Sequence, residues 1–513
     1  MIKFEDVICR PIWTCGRYNE KGQVAIYYNL LEGMSYLFEG YSALVVSILL
    51  AEPRNVCFPI SMVSERTGIA MESILPFFQK LMELGLIIDH CPDTCEISEY
   101  RHQQRKLNHI QGKRFERSTE IKLPMDVSTV EMDYANKAGG ITSVMLELTY
   151  RCSEKCVHCY NIGATRNDEE ISYRNAIEEL SLEDYIRIID ELYEQGLIKV
   201  CLSGGDPFSN PYVWDIIDYL FNKEIAFDVY TNGLCLFNFV EKLADYYPRL
   251  VGISIYSGIS SVHDSITRIK GSWEKSMSVV RKITEFGVPL VLKCCVMKPN
   301  ISSYYMVAEL AKEYGAFIQY ELNVTDSIEG DKCVSNYLRL SSEAMEIVLR
   351  DPNTPMYVGE EAPNYGGQPK RMKENACGAG YNSFCITPDG SFVPCCSFHY
   401  RFGNLKKMSV KDLLFTSTKL KYWQSLSLQD YQDCGRHKYC DYCNLCPGCN
   451  YSEHGDVLQP GENNCFMAKC RFALANKLKE GKDPLEGKPI YDKLKELYPT
   501  QPAIGKIKRM FNT

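Results

Sequence analysis

The chain has 513 residues, is 45% hydrophobic and 24% charged, and carries a formal net charge of −8. That length accommodates two to four domains of ordinary soluble composition. The lack of any large block of Lys and Arg speaks against nucleic-acid binding, which rests on clustered basic residues. No apolar run reaches the length of about eighteen residues that a membrane span needs, so no membrane association is expected. The segment from Met1 to Asp6 lacks a signal-peptide apolar core, so a cytoplasmic location is expected.

Cysteine usage is the informative anomaly. Of 24 cysteines, eleven lie from Cys377 to Cys470, three lie from Cys152 to Cys159, and the rest are scattered. Disulfide frameworks spread across a fold, whereas metal ligands come in bunches, so this distribution points to metal.

Taken in chain order, Val24 to Leu31 and Met34 to Phe38 read as two strands joined at Glu32-Gly33, a hairpin signal. Ser42 to Leu50 reads as a buried helix, followed by a short helix around Ile60 to Arg66. A further helix from Met71 to Leu84 carries Ile74, Phe77, Phe78, Leu81 and Leu84 on one 3.6-period face, and a strand follows at Leu86 to Ile88. Hairpin, helix–turn–helix and strand make a winged-helix layout over residues 1–95. Lys80 is the only basic residue between Met71 and Leu84, which disfavours DNA as the partner. The segment resembles the leader-peptide recognition domain of ribosomal-peptide maturases, the pyrroloquinoline-quinone chaperone type. That resemblance implies a precursor peptide that adds as an extended strand to the sheet edge. Residues 96–140 are polar and mixed in charge and read as a linker or bridging helix.

From Val144 to Leu322 strands and helices alternate, with strands expected at 144–149, 198–202, 225–230, 250–255, 289–296 and 317–322. Six βα units imply a parallel sheet, since parallel strands need crossovers. The fold class is therefore α/β, with a partial (β/α)6 barrel over residues 141–330 whose active residues sit at the C-terminal strand ends. Cys152-x3-Cys156-x2-Cys159 follows the first strand. Soft thiolates select iron–sulfur or zinc. Zinc wants a fourth protein ligand, and His158 is wedged between two of the cysteines, so a [4Fe–4S] cluster with one iron free of protein ligands fits better. Gly204-Gly205-Asp206-Pro207 follows the second strand, Thr231-Asn232-Gly233 the third, and Ser254 ends the fourth, with His263, Asp264 and Arg268 beyond. Adjacent glycines let backbone approach a ligand closely.

These motifs together resemble the core of radical S-adenosylmethionine (SAM) enzymes. The resemblance implies that Cys152, Cys156 and Cys159 hold a [4Fe–4S] cluster. It further implies that Gly204, Gly205 and Asp206 (Asp where the family has Glu), with Ser254 and Arg268, contact SAM, whose cleavage yields a 5′-deoxyadenosyl radical.

After a connector at residues 331–376, residues 377–475 form a cysteine-rich iron–sulfur domain. It holds Cys377, Cys385, Cys395 and Cys396, with Asp389-Gly390 between apolar runs as a hairpin turn. Then come Cys434, the run Cys440-x2-Cys443-x2-Cys446-x2-Cys449, Cys465 and Cys470. Pairs of C-x2-C also make structural zinc ribbons. The region resembles the SPASM extension of peptide- and protein-modifying radical enzymes, which implies two auxiliary [4Fe–4S] clusters, three clusters in all. By chain order the first takes Cys377, Cys385, Cys395 and Cys449, and the second Cys440, Cys443, Cys446 and Cys465. Cys396, Cys434 and Cys470 are spare. The compressed spacing departs from the family's C-x2-C-x5-C-x3-C. Residues 476–513 read as a surface tail.

The resemblances imply a peptide maturase that forms a cross-link, most commonly a thioether, with electrons from a flavodoxin- or ferredoxin-type donor. The alternatives are a carbon–carbon cross-linking or epimerising peptide enzyme, a maturase of a folded protein of the sulfatase-maturing type, and a non-enzymatic metal-binding adaptor.

Overall fold

The computed structural model describes residues 3, 6–103, 127–161, 178–326, 333–360, 362 and 365–499. The expected hairpin is present as β3 (Val24–Asn29) and β4 (Met34–Glu39), and β2 (Thr14–Asn19), which carries no strong sequence signal, completes an antiparallel sheet in the order β2-β3-β4. Three helices follow, α1 (Gly40–Ala51), α2 (Ser61–Thr67) and α3 (Met71–Glu83). The apolar face expected of α3 buries Ile74, Phe78 and Leu81 against Ala25, Tyr27 and the buried side of α1. Gly68 ends α2 in the left-handed conformation, φ +69°, which a glycine adopts without a Cβ penalty. The strand expected at Leu86 to Ile88 is reduced to one bridge, Ile88 to Cys9. Cys9 closes β1 (Val7–Cys9), which pairs with β5 (Cys57–Pro59) in a separate two-stranded sheet.

The linker region is partly ordered. Residues 94–103 are helical, and a helix at Val127–Ala138 packs on β3 and β4. The basic residues from Arg105 to Arg117 lie outside the described residues.

All six expected parallel strands form: β6 (Ser143–Glu147), β7 (Lys199–Ser203), β8 (Ala226–Thr231), β9 (Leu250–Ser254), β10 (Leu290–Cys295) and β11 (Phe317–Glu321). Between them the Leu182–Glu194 helix starts with a capping box, Ser181 and Asp184 each satisfying the other's backbone N–H, and buries Tyr185, Ile188, Ile189 and Leu192 on the sheet. The sheet does not close on itself. Instead β12 (Ser383–Ile386) adds parallel to β6, followed by the antiparallel β13 (Ser391–Val393) and β14 (Gly403–Asn404). The nine-strand order is β11-β10-β9-β8-β7-β6-β12-β13-β14. The cysteine-rich region is thus continuous with the barrel sheet through the hairpin turn at Asp389-Gly390, where Gly390 has φ +80°.

The N-terminal sheet docks under the barrel. Arg10 pairs with Glu224, Arg54 donates to the Phe221 carbonyl at 2.6 Å, and the Tyr28 hydroxyl donates to Glu131 at 3.0 Å, which also pairs with Lys199. Lys199 is the first residue of β7, so these contacts meet the N-terminal strand ends, opposite the motif-bearing loops. Among the described residues no helix is long and apolar enough to cross a membrane.

Candidate active site

The loop after β6 carries Cys152, Cys156 and Cys159, and its neighbours fix its course. Lys155 and Val157 donate their N–H groups at 3.0 and 2.9 Å to the carbonyls of Thr267 and Ile266, at the C-terminal end of the Ser260–Thr267 helix. Such bonds satisfy carbonyls that a helix end leaves unpaired, at a net gain of about 1 kcal/mol each. From the other side Gly205 N–H donates to the Thr149 carbonyl at 2.6 Å, and Asp206 N–H to that of Arg151 at 3.0 Å. A Cβ on Gly204 would lie 2.5 Å from the Thr149 oxygen, and one on Gly205 only 2.4 Å from the Arg151 oxygen. The sequence suggested that these glycines let the backbone approach a ligand. In the structure the backbone they approach is that of the cysteine loop itself.

Asp206 is fully buried and accepts hydrogen bonds from Phe208 N–H at 3.0 Å, the Thr231 hydroxyl at 2.5 Å and Asn232 N–H at 3.0 Å. Burial pushes its carboxyl up, and these donors, Thr231 first, pull it back. An ionised carboxylate offers about four acceptor positions, so Asp206 ties the second and third strand ends together and retains capacity for one more donor. Asn232, in the motif after the third strand, donates from Nδ2 to Cys152 Sγ at 3.4 Å and to the Ser153 hydroxyl at 3.2 Å. Ser254 ends β9, beside Tyr256. The Tyr256 ring is flanked by His158 at 4.7 Å and His263 at 5.5 Å. Arg268 follows the Ser260–Thr267 helix in the left-handed conformation, φ +61°. Asp264 is not turned to the loop. It accepts from Gly271 N–H, the Ser272 hydroxyl and Trp273 N–H, and so caps the next helix.

Immediately after Cys159, the Tyr160 hydroxyl donates to Glu147 Oε1 at 3.4 Å and lies beside Cys396. Glu147, the last residue of β6, is fully buried; burial pushes its carboxyl up to about 8, and Oε2 has no partner. The Lys293 ammonium, also inside the sheet, lies 3.4 Å from the Tyr230 ring centroid. Sequence reasoning left Cys396 spare and overlooked Glu147, Tyr160 and Lys293. The available signal was their position: Glu147 closes a strand, and the other two flank cysteines or alternate inward on β10.

The C-terminal cysteines sort differently from chain order. Cys434, Cys440, Cys443 and Cys465 line one cavity of about 50 Å³ together with Lys370, Tyr439 and Gly461. Burial, then Cys443, Cys465 and Cys440, push the Cys434 thiol up to about 12. Cys446 belongs elsewhere. Burial, then Cys396, Cys446 and Cys377, raise Cys395, and Cys446 neighbours Cys449. Cys446 is the N-cap of the Pro447–His454 helix, and hydrogen bonds from Cys449 and from the Gly448 and Cys449 N–H groups lower its thiol to about 7 despite burial. The evenly spaced run therefore splits two and two, because a 3-10 turn at Lys438–Tyr442 ends before Cys443 and a helix with Pro447 at its first position begins after Cys446. Cys434, left spare by chain order, lines the cavity, and Cys446, expected in the second set, does not. Cys385, expected in the first set, lies in β12 opposite Met145, where burial, then Glu147, Cys396 and Cys395, raise it, so it too neighbours Cys395. Cys470 is buried near Glu346 and Lys477, away from both groups.

Residues 146–311 match the radical SAM superfamily, and residues 377–449 match the SPASM iron–sulfur cluster-binding domain. The chain is a radical SAM enzyme with a SPASM domain. This radical SAM enzyme is 26% identical over 327 residues to the antilisterial bacteriocin subtilosin biosynthesis protein AlbA of Bacillus subtilis, covering 63% of this chain and 70% of that one. It is 24% identical over 337 residues to the AdoMet-dependent heme synthase of Methanosarcina barkeri, covering 61% and 93%. It superposes on Streptococcus suis SuiB bound to precursor peptide SuiA with a TM-score of 0.52 at 13% identity, over 89% of this chain and 99% of that one, a likeness of fold.

A radical SAM enzyme with a SPASM domain uses a [4Fe–4S] cluster, SAM and auxiliary clusters. The residues present fit them. Among the described residues, the group of three or more potential ligands drawn within 4.8 Å of one another is Cys9, Cys57 and Cys91, far from this loop in sequence. The β6-loop thiols are not all drawn within that distance of one another, which is compatible with ligands of separate irons. Val157, Tyr256, Val262, Ile266 and Met297 form an apolar cluster beside Cys156, which gives the loop a dry wall.

Proposed function

We propose that this enzyme matures a ribosomally made precursor peptide, holding its leader with the N-terminal domain and joining a cysteine sulfur to a carbon of the core as a thioether. The observation that carries the reading is that Tyr160 and Cys396 are close electrostatic neighbours. Each is the chain neighbour of a cysteine, Cys159 on one side and Cys395 on the other, so the radical-generating loop and the auxiliary region meet across the barrel interior. Enzymes that cross-link need an electron acceptor beside the reacting carbon, whereas returning a hydrogen atom does not.

In this reading Cys152, Cys156 and Cys159 hold the radical cluster, and Gly204, Gly205, Asp206, Ser254 and Arg268 border SAM. Cys377, Cys395, Cys446 and Cys449 hold one auxiliary cluster, and Cys434, Cys440, Cys443 and Cys465 the second. Bound clusters and SAM supply the 5′-deoxyadenosyl radical and take up the electron released as the new bond forms, with a flavodoxin- or ferredoxin-type donor renewing the reductant. The chain's own groups orient the peptide. Glu147 Oε2, buried and unpartnered, accepts the proton of the substrate thiol, and Tyr160 holds the other oxygen in place. Lys293 and Tyr230 line the interior.

The N-terminal unit is read as a winged-helix peptide-recognition domain. β4 is an edge strand of its sheet among the described residues, and Phe38 on β4 meets Phe77 of α3 edge-on at 5.7 Å, so edge and helix frame one groove. An extended peptide adds to such an edge by main-chain hydrogen bonds. The AlbA relative named above is a bacteriocin biosynthesis protein, which supports a peptide substrate.

Anaerobic co-expression with the short peptide encoded beside the enzyme tests the proposal by mass spectrometry. The expected product has lost two hydrogens per event and resists thiol alkylation at the joined cysteine. An unchanged mass in ordinary water, with about one mass unit gained per event in deuterium oxide, would instead mean epimerisation and end the cross-linking reading.

A further inference from the structure

Cys9, Cys57 and Cys91 are 48 and 34 residues apart in the chain, yet their thiols converge. Cys91 Sγ lies 3.4 Å from Cys9 Sγ and 3.3 Å from Cys57 Sγ. The backbone brings them together. Cys9 and Cys57 are direct partners in the β1–β5 ladder. On the other side of β1, Cys9 exchanges both backbone hydrogen bonds with Ile88, at 2.7 and 3.0 Å, which delivers Cys91 three residues later. Cys9 is fully buried, and Cys57 and Cys91 are exposed.

We propose that this trio binds a structural zinc ion, with the fourth position left to Cys95, whose thiol stands outside the convergent group. A tetrahedral zinc ion with Zn–S bonds of about 2.3 Å sets its sulfurs roughly 3.8 Å apart. The observed separations lie a few tenths of an ångström inside that, so rotation about Cα–Cβ bonds is enough to seat the ion. A four-iron cluster binds each cysteine at a different iron, and neither the β6-loop thiols nor those lining the C-terminal cavity are all drawn within 4.8 Å of one another as this trio is. Three thiols also cannot all pair as disulfides. Cys91-x3-Cys95 has a spacing that serves a single zinc ion. Asp93 fixes it: its Oδ1 accepts the N–H groups of Cys95 and Glu96 at 2.8 and 2.9 Å and starts the helix at 94–103, so Cys95 lies on that helix's first turn.

The physical need is clear. β1 and β5 are three residues long, and an isolated ladder of that size is marginal in water. A metal that clips three distant segments removes loop-closure entropy from the unfolded chain. It thereby fixes where α1 and α3 emerge relative to β1, the frame of the N-terminal domain.

The test uses full-length enzyme purified without added metal. About one zinc per chain is expected, with an X-ray absorption edge showing a sulfur shell at about 2.3 Å. The single variants Cys57→Ser and Cys91→Ser replace exposed thiols. Each is expected to lower retained zinc about tenfold or more after dialysis, with iron content unchanged, and Cys95→Ser to replace one sulfur of the shell by a lighter atom. Zinc near zero with full iron, zinc unaffected by Cys57→Ser and Cys91→Ser, or a Cys9–Cys91 or Cys57–Cys91 disulfide in non-reducing peptide maps would overturn the site. A zinc-bearing site in a protein that leaves its peptide unmodified would sink the proposed function and leave this site standing.

Discussion

The N-terminal and C-terminal cysteines obey opposite rules. At the N-terminus three thiols with no common motif meet within 4.8 Å because strand pairing brings distant segments together. At the C-terminus four thiols in one regular motif part company, two to the cavity with Cys434 and Cys465 and two toward Cys377 and Cys395. Sequence spacing therefore predicts that metal is present better than it predicts which cysteines share it. The separation of sulfurs then distinguishes a single ion from a cluster.

The largest expected effect lies between these regions. Cys156→Ala removes a buried member of the β6 loop, and formation of 5′-deoxyadenosine from SAM should fall below detection by chromatography, with one cluster's iron lost. Residual cleavage at the wild-type rate would detach the radical chemistry from this loop. Next is the contrast that separates chain order from spatial order. Cys446→Ala should abolish cross-linked product while SAM cleavage continues, and Cys385→Ala should keep about half or more of the product. The reverse outcome, product lost with Cys385→Ala and kept with Cys446→Ala, would restore the chain-order assignment. Smaller again is Gly205→Ala. Its Cβ meets the Arg151 carbonyl at 2.4 Å, so the cysteine loop must shift. A loss of about 1–3 kcal/mol, as for other overpacked sites, should appear as a lower unfolding midpoint, and an unchanged midpoint would mean that the loop yields freely.

Much of the architecture was readable from the residues. All six parallel strands follow from apolar runs alternating with amphipathic helices, and the radical SAM motifs fall at strand ends because that is where loops converge. The α3 face was readable for the same reason of period. What was not readable depends on tertiary pairing. β1 and β5 are too short to carry a pattern, so the Cys9 trio looked scattered. The continuity of β12 with β6 needs an edge that six strands leave unfilled, and no local signal announces it. The split after Cys443 was partly visible, since Pro447 marks a helix start and so separates Cys446 and Cys449 from the pair before them. Asp206 shows the remaining difficulty: a motif carboxylate was read as facing a ligand, while its burial and three donors are properties of the assembled loops.

The smallest expected effect probes the first auxiliary group without touching a cysteine. Asn323, just past β11, donates from Nδ2 to Cys449 Sγ at 2.8 Å, and Asn463 in turn donates to Asn323 Oδ1. A hydrogen bond to a ligating sulfur stabilises the more negative, reduced cluster and so raises its potential. Asn323→Ala removes that donor and leaves the cysteines, the β6 loop and the N-terminal domain intact. The midpoint potential of one auxiliary cluster should fall, by an amount on the order of tens of millivolts in a spectroelectrochemical titration. Product formation should slow about twofold to fivefold, while the rate of 5′-deoxyadenosine formation holds, because electron uptake follows radical generation. If Asn323→Ala shifts no potential, Cys449 is not a ligand, and the first group holds its cluster through Cys377, Cys395 and Cys446 alone, leaving one iron for the substrate sulfur. The same titration on Cys449→Ala would then leave the potential where it was.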